Sequence, residues 1–449
     1  MVETILKRKI TTKIKLWDEG KKDTALFVEG ARQIGKTTVI TNYFKAKGNV
    51  SFIKIDFSFD KNMFNLFQES KNVAEVIQTL RIYFKDKKFD KNTYIFFDEI
   101  QEYCDILNWI KPLIQETDYH FIISGSLLNI NQTIKFYPVG FLTRIKMYPL
   151  DFEEFLWSQK YDENQIDEIK KQMLRFERIN SALFNTMNNL FKQYLCLGGM
   201  PKVVCSFCET NSMSNVINIK KNIISDYKND IFKIRDKKIM LKAVECFETI
   251  LAQLAKENKK FKFSLINKNA RYERYVYGLN WLSNSSMINF CYNLTNLELP
   301  LKGNHKIDNF KIYFVDTGLL ISMLNDESIY DSIINEDYLT YKGAIFENFM
   351  AQAINSSGCE LFYYCSDKIN QGKDIEIDFV IAKNKKIFPI EVKSGKTISS
   401  SLNYILEKNQ KMIGLKFCKN NVGYQNNLYT LPHFYILVLE EILSGLFVD

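Results

Sequence analysis

The chain has 449 residues, 46% hydrophobic and 25% charged, which suits an ordinary globular protein of about two to four domains. Sixty Lys and Arg against 52 Asp and Glu give a net charge of +8, which permits a nucleic-acid or other phosphate-rich partner without demanding one. Nine scattered cysteines, with one close pair at Cys205 and Cys208 and only three histidines, argue against a structural zinc site and fit a reducing cytosol.

The first residues, MVETILKRKITTK, are basic but lack the apolar core of a signal peptide. The longest apolar stretches, such as 435–439, are strand-sized, so no membrane span is expected and the chain reads as cytoplasmic. Five near-continuous apolar runs follow at 24–30, 50–57, 93–99, 120–126 and 143–150, alternating with helical stretches. Such runs suit strands buried on both faces, as in a parallel sheet with helical crossovers. From 151 the pattern turns helical, beginning at Asp151, a good N-cap, and continuing to 238 with a break at LGGMPK (197–202). That break reads as a helix-stopping turn, and the Cys205–Cys208 pair as buried packing. Residues 239–334 read as a small helical unit ending in the strands MINFCYNL and FKIYFVD, and residues 335–449 as one helix followed by several strands.

GARQIGKTT (30–38) lies between the first apolar run and a helical stretch and matches G-x-x-x-x-G-K-[ST]. The glycines let main chain wrap a phosphate, and the N–H groups of Gly30, Ala31, Arg32, Gln33, Ile34, Gly35 and Lys36 with the helix start face the anion. Lys36 is expected between the β- and γ-phosphates, Thr37 on Mg2+, and Thr38 beside it. YIFFDEIQ then places Asp98 at the carboxyl end of a strand, where such sheets bind ligands. Asp98 is read as holding Mg2+ through water and Glu99 as the general base that polarises an attacking water, although an acidic pair after a strand also caps helices. Ser124 or Ser126, at the end of the neighbouring strand, suits a γ-phosphate sensor; Ser-Gly is equally common turn chemistry. Arg144 fits either a transition-state arginine, in the same subunit or across an interface, or a solvated side chain.

Near the other end, Asp378 lies on IEIDFVIA, and Glu391 and Lys393 alternate onto one face of FPIEVKS. A hairpin between them would bring Asp378 and Glu391 together, with Glu347 upstream on the helix GAIFENFMAQAI. Solvated strand charges explain this short pattern as well. Lys259, Lys260, Lys262, Lys268, Arg271 and Arg274, interleaved with Phe261, Phe263, Tyr272 and Tyr275, suit either DNA-backbone contact or a solvated face over core aromatics.

GARQIGKT, FFDEIQ, ISGS, MYPLDFEEFLW, YLCLGGMPKVV, FKIYFVDTGLL, GAIFENF and IEIDFVIA…FPIEVKSGK together resemble a widespread set of prokaryotic AAA-type ATPases. The resemblance implies a P-loop core of the additional-strand type at 1–155, a helical lid at 156–238, a winged-helix-like part at 239–334 and a PD-(D/E)XK nuclease-like domain at 335–449. It places Arg32 in the GARQ-x-GKT signature and makes Glu347, Asp378, Glu391 and Lys393 a second metal or nuclease site. The expected function is Mg2+-dependent ATP hydrolysis that moves the C-terminal domains, with DNA as the candidate object and a homo-oligomer or a protein partner as further candidate associations. The alternatives are an ATP-gated metal-dependent nuclease and a non-catalytic DNA-binding regulator.

Overall fold

The computed structural model describes residues 5–126, 138–256, 259–326, 328–335, 342–370, 373–395 and 399–445. The described residues pack as two compact units: Lys7–Tyr148 with Asn284–Ser286, and the remainder from Pro149 onward with Ile5 and Leu6.

The first unit is built on five parallel strands: β1 Ala25–Glu29, β2 Ser51–Asp56, β3 Thr93–Asp98, β4 His120–Gly125 and β5 Leu142–Lys146. Their order is β2-β3-β4-β1-β5, so β4 separates the strand before the glycine loop from the strand that ends at Asp98. Every residue of β1 and β3 is buried, which explains why their sequences are apolar runs rather than alternating ones. Helices α1 Ile10–Glu19, α2 Lys36–Ala46, α3 Asn62–Glu69, α4 Val73–Tyr83 and α5 Leu107–Glu116 accompany the sheet. Ile53, Ile55, Ile95, Phe97 and Phe121 pack with Val76, Leu80, Ile110 and Leu113 in one cluster, so one sheet face is sealed by α4 and α5. Helix α1 is tied down by Asp18, whose buried carboxylate accepts from Tyr94 at 2.6 Å and Tyr43 at 3.0 Å and pairs with Lys47.

In the second unit, α6 Phe152–Ser158 starts with a full capping box: Glu154 N donates to Asp151 Oδ1 at 2.9 Å, and Asp151 N donates back to Glu154. Helices α7 Glu163–Met173, α8 Ser181–Leu197, α9 Pro201–Thr210, α10 Met213–Phe232, α11 Lys237–Leu254 and α12 Tyr272–Asn284 follow. The break between α8 and α9 is enforced by close backbone approach. A Cβ on Gly199 would stand 2.2 Å from Leu150 O, and Asp316 Oδ2 accepts from Gly199 N at 2.6 Å. On α9, Cys205 is half-buried and Cys208 exposed, so this pair is not the buried packing expected from its spacing.

Strands β6 Ile288–Leu294 and β7 His305–Phe314 are followed by α13 Thr317–Met323, α14 Ser328–Asn335 and α15 Lys342–Ser356. Then come β8 Phe362–Asn370, β9 Lys373–Lys383, β10 Lys386–Val392, α16 Ser400–Lys408, β11 Gly414–Cys418, β12 Gly423–Gln425, β13 Leu428–Pro432 and α17 Leu439–Leu443. All eight strands form one mixed sheet, ordered β12-β13-β11-β10-β9-β8-β6-β7. The parallel pairing of β6 with β8 carries this sheet across residue 335, so strands from both sides of that expected boundary share one core. No helix among the described residues is long and apolar enough to cross a membrane.

Candidate functional site

The loop between β1 and α2 depends on two glycines. A Cβ on Gly30 would lie 2.4 Å from Met147 O and 2.6 Å from Ile34 Cδ1, so only glycine fits against the chain leaving β5. Gly35 is the residue before α2, in the left-handed region at φ 89°, and no side chain caps the helix it opens. The first N–H groups of α2 are therefore left for an external acceptor, and an anion is what that end of a helix attracts. Ala31 and Ile34 are buried, whereas Gln33 and Thr38 are exposed. Arg8 braces the loop from α1's leading end, donating to Ile34 O at 2.9 Å and to Tyr148 O at 2.6 Å.

Lys36 is buried and curls back on the loop, its Nζ donating to Gly30 O at 3.1 Å and Ala31 O at 2.8 Å. Burial pulls its pKa down, with Glu99 and Asp98 opposing that. Thr37 Oγ1 donates to Asp98 Oδ2 at 2.8 Å, and Ser124 Oγ also donates to the Asp98 carboxylate. A third donor is Lys54 of β2, whose Nζ lies 2.9 Å from Asp98 Oδ2 and 2.9 Å from Asp56 Oδ2. Asp98, 1% exposed, is thus a buried carboxylate with charge-assisted partners on three sides. Glu99 has left-handed backbone at φ 54°, and its carboxylate accepts from the Gln101 amide. The other end of that amide, Gln101 Oε1, accepts from Ser126 N at 3.2 Å. Gly125 makes the room, since a Cβ there would come within 2.8 Å of Gln101 Oε1. Ser126 Oγ is buried and has no hydrogen-bond partner among the described residues.

Of the two candidate serines, Ser124 points at Asp98, while Ser126 communicates with Glu99 through Gln101. Arg32 pairs with Glu102 at 2.9 Å, at the rim of the loop. Arg144 lies over the Phe27 ring and pairs with Glu29 at 3.0 Å, so in this conformation its guanidinium is engaged within its own sheet. The residues suit a phosphate chain and its cation: a glycine-framed loop, an uncapped helix start, a lysine, and a threonine-aspartate pair. Sequence reading missed Arg8, Lys54 and Gln101. Lys54 had a signal, because Ile53 and Ile55 alternate inward and leave Lys54 and Asp56 on the other face.

The C-terminal residues also meet. Glu347 comes from α15, Asp378 from β9, and Glu391 and Lys393 from the end of β10; all four line a cavity of about 250 Å³. Asp378 Oδ2 accepts from Val392 N at 2.8 Å, and Glu391 pairs with Lys393. Lysines enter the cluster as well. Lys259 pairs with Glu347, and Lys311 sits 2.7 Å from Glu376 and 3.9 Å from Glu347. Burial, then Glu347 and Glu391, push the Asp378 carboxyl up to about 8. Burial raises Glu391 too, whereas Lys259 and Lys311 overcome burial to hold Glu347 below its usual range. Among the described residues no three His, Cys, Asp or Glu side chains are placed to hold a metal ion together, so the cleft in this conformation does not fit one. Of the basic stretch, Lys260, Lys262, Lys268, Arg271 and Arg274 are exposed, but Lys259, Phe261 and Tyr275 are buried.

The parallel five-stranded sheet and its glycine loop are those of a P-loop nucleotide-binding domain. Residues 22–156 match the family model described as an AAA domain. Residues 188–329 match a domain of unknown function (DUF8612), and residues 342–434 a further domain of unknown function (DUF4143). No curated protein matches the chain.

Proposed function

We propose that residues of the first unit bind ATP with Mg2+ and hydrolyse it, and that hydrolysis drives movement of the later domains. The observation that carries this reading is the joining of Thr37, Ser124 and Lys54 on one buried aspartate, Asp98, beside an uncapped P-loop helix. Loop N–H groups from Gly30 to Lys36 would surround the phosphates, and Lys36 would exchange its loop carbonyls for phosphate oxygens. Thr37 and Asp98 would hold Mg2+, which supplies charge neutralisation on the terminal phosphates. Glu99 would take the proton from the attacking water, positioned by Gln101. The Glu99→Gln variant tests this directly: ATP binding should persist while phosphate release is lost. Equal turnover in that variant and the wild type would remove Glu99 from the mechanism.

A second reading, a metal-dependent nuclease gated by the ATPase, is favoured by the convergence of Asp378, Glu391 and Lys393 on one cavity. Its test is plasmid cleavage with Mg2+ or Mn2+, wild type against Asp378→Ala. DNA binding without cleavage is the remaining possibility, favoured by the five exposed cations between 260 and 274. Filter binding across salt concentrations separates it, because phosphate contacts give a steep salt dependence. The four-part division at 155, 238 and 334 is retained as a proposal about functional modules.

A further inference from the structure

The Asp98 carboxylate has its full complement of hydrogen bonds within the protein. Oδ1 accepts from Glu99 N at 3.2 Å and from Ser124 Oγ, and Oδ2 takes Lys54 Nζ at 2.9 Å. The Thr37 hydroxyl lies 3.0 Å from Oδ1 and 2.8 Å from Oδ2. A carboxylate offers about four acceptor positions, and these donors use them up. Nothing further can be bound through Asp98 unless one donor gives way.

Three of the donors are held by the fold. Glu99 N is main chain, Ser124 is completely buried on β4, and Thr37 stands in the first turn of α2. Lys54 differs from them. It lies on β2, at the edge of the sheet, and its side chain is 31% exposed. It also has a second partner, because its Nζ is 2.9 Å from Asp56 Oδ2. Asp56 is itself fixed, since its other oxygen accepts from Ser58 N at 3.1 Å and from Ser58 Oγ at 2.6 Å. In the parallel register of β2 and β3, Asp56 stands directly beside Asp98. The sheet thus sets two carboxylates side by side with one ammonium between them. Lys54 can give up Asp98 and stay ion-paired, which no other donor can do.

We propose that Lys54, with Asp56 as its alternative partner, sets the Mg2+ concentration at which the nucleotide site fills. Lys54 neutralises Asp98 in the free protein and moves onto Asp56 alone when Mg2+ and nucleotide bind. Detaching the ammonium from Asp98, and its repulsion of a dication close by, raise the Mg2+ requirement. Asp56 lowers that requirement by receiving the ammonium. The proposal rests on the reading of the Gly30–Thr38 loop as an ATP and Mg2+ site.

The test is binding of a fluorescent ATP analogue to the full chain at rising free Mg2+, starting from EDTA, and it needs no turnover. The wild type should bind more tightly as Mg2+ rises. In Lys54→Met the Mg2+ concentration for half-maximal binding should fall at least roughly tenfold, and in Asp56→Asn it should rise. Lys54→Arg, which keeps the charge, should lie nearer the wild type than Lys54→Met does; a curve that coincides with Lys54→Met overturns the proposal. A purely structural ion pair would weaken binding in Lys54→Met and Asp56→Asn alike, at every Mg2+ concentration, and that pattern also overturns it. So does an unchanged Mg2+ dependence in Lys54→Met. A wild type that binds the analogue equally in Mg2+ and in EDTA overturns the proposal and leaves the nucleotide reading standing. A wild type that binds no analogue at any Mg2+ concentration refutes the nucleotide reading and the proposal with it. Should Lys54→Met fail to fold, Lys54→Gln, which keeps a donor for Asp98 without the charge, gives the same decision.

Discussion

Replacing Gln101 by Ala separates positioning of the water-activating carboxylate from binding of the nucleotide. Its amide donates to Glu99 and accepts from Ser126 N at 3.2 Å, so one side chain joins the end of β3 to the end of β4. A hydrogen bond to a charged group contributes about 1.5–3 kcal/mol, which bounds the loss in the chemical step at about ten- to hundredfold in kcat. None of the loop residues from Gly30 to Thr38 takes a hydrogen bond from Gln101 in the structure, so KM for ATP should change by less than about twofold. Steady-state phosphate release over a range of ATP concentrations, with fluorescent-nucleotide binding measured in parallel, reads both quantities. A fall in kcat with unchanged affinity supports the positioning role. Unchanged kcat in Gln101→Ala, set against a wild type that does turn over, would refute it, whereas a wild type without turnover would instead refute the hydrolase reading.

Asp18 supplies a pH-dependent anchor for α1. Burial alone would raise its pKa, but Lys47, Tyr94 and Tyr43 bring it down from 3.8 to about 2. A folded pKa below the unfolded one stabilises above 3.8, and the benefit fades as pH falls toward 2. The shift corresponds to ~1–2 kcal/mol at neutral pH once the solvent reach of Lys47 is allowed for. Asp18→Asn should therefore lower unfolding free energy by that amount at pH 7, with the deficit about halved at pH 3; a pH-independent deficit in denaturant titrations would contradict the assignment. In the second unit, a Cβ on Gly318 would stand 2.2 Å from Leu197 O, a backbone atom that cannot step aside. Gly318→Ala should cost about 3 kcal/mol in thermal unfolding, and an unaltered melting temperature would show that the α8–α13 junction yields more easily than its geometry implies. Separating Arg144 from Glu29 by Arg144→Ala should leave Glu29 buried beside Lys146 alone, and its expected effect is on stability. Loss of turnover with unchanged stability would instead mark a transition-state arginine.

The first unit was readable because its information is local. Strands buried on both faces write themselves as apolar runs, a phosphate loop needs its glycines and lysine within nine positions, and Asp151 announces α6 through a bond only three residues long. What escaped depends on partners distant in sequence. Lys259 reads as one more cation in a basic stretch, and only folding reveals that its partner is Glu347, 88 residues further on. Nothing in MINFCYNL says that it pairs with FYY at 362–364, so an apparent domain boundary falls inside one sheet. Nothing in YIFFDEIQ marks Gln101. Its role follows from Gly125 and Ser126 approaching from a different strand.

The central claim, that the Gly30–Thr38 loop binds ATP for hydrolysis, is tested most directly by Lys36→Ala in the full chain. ATP affinity and Mg2+-dependent phosphate release should be measured on the same preparations of variant and wild type. The account predicts that the wild type binds and turns over ATP and that tight binding and turnover are both lost in the variant. Unchanged ATP affinity in Lys36→Ala would contradict it.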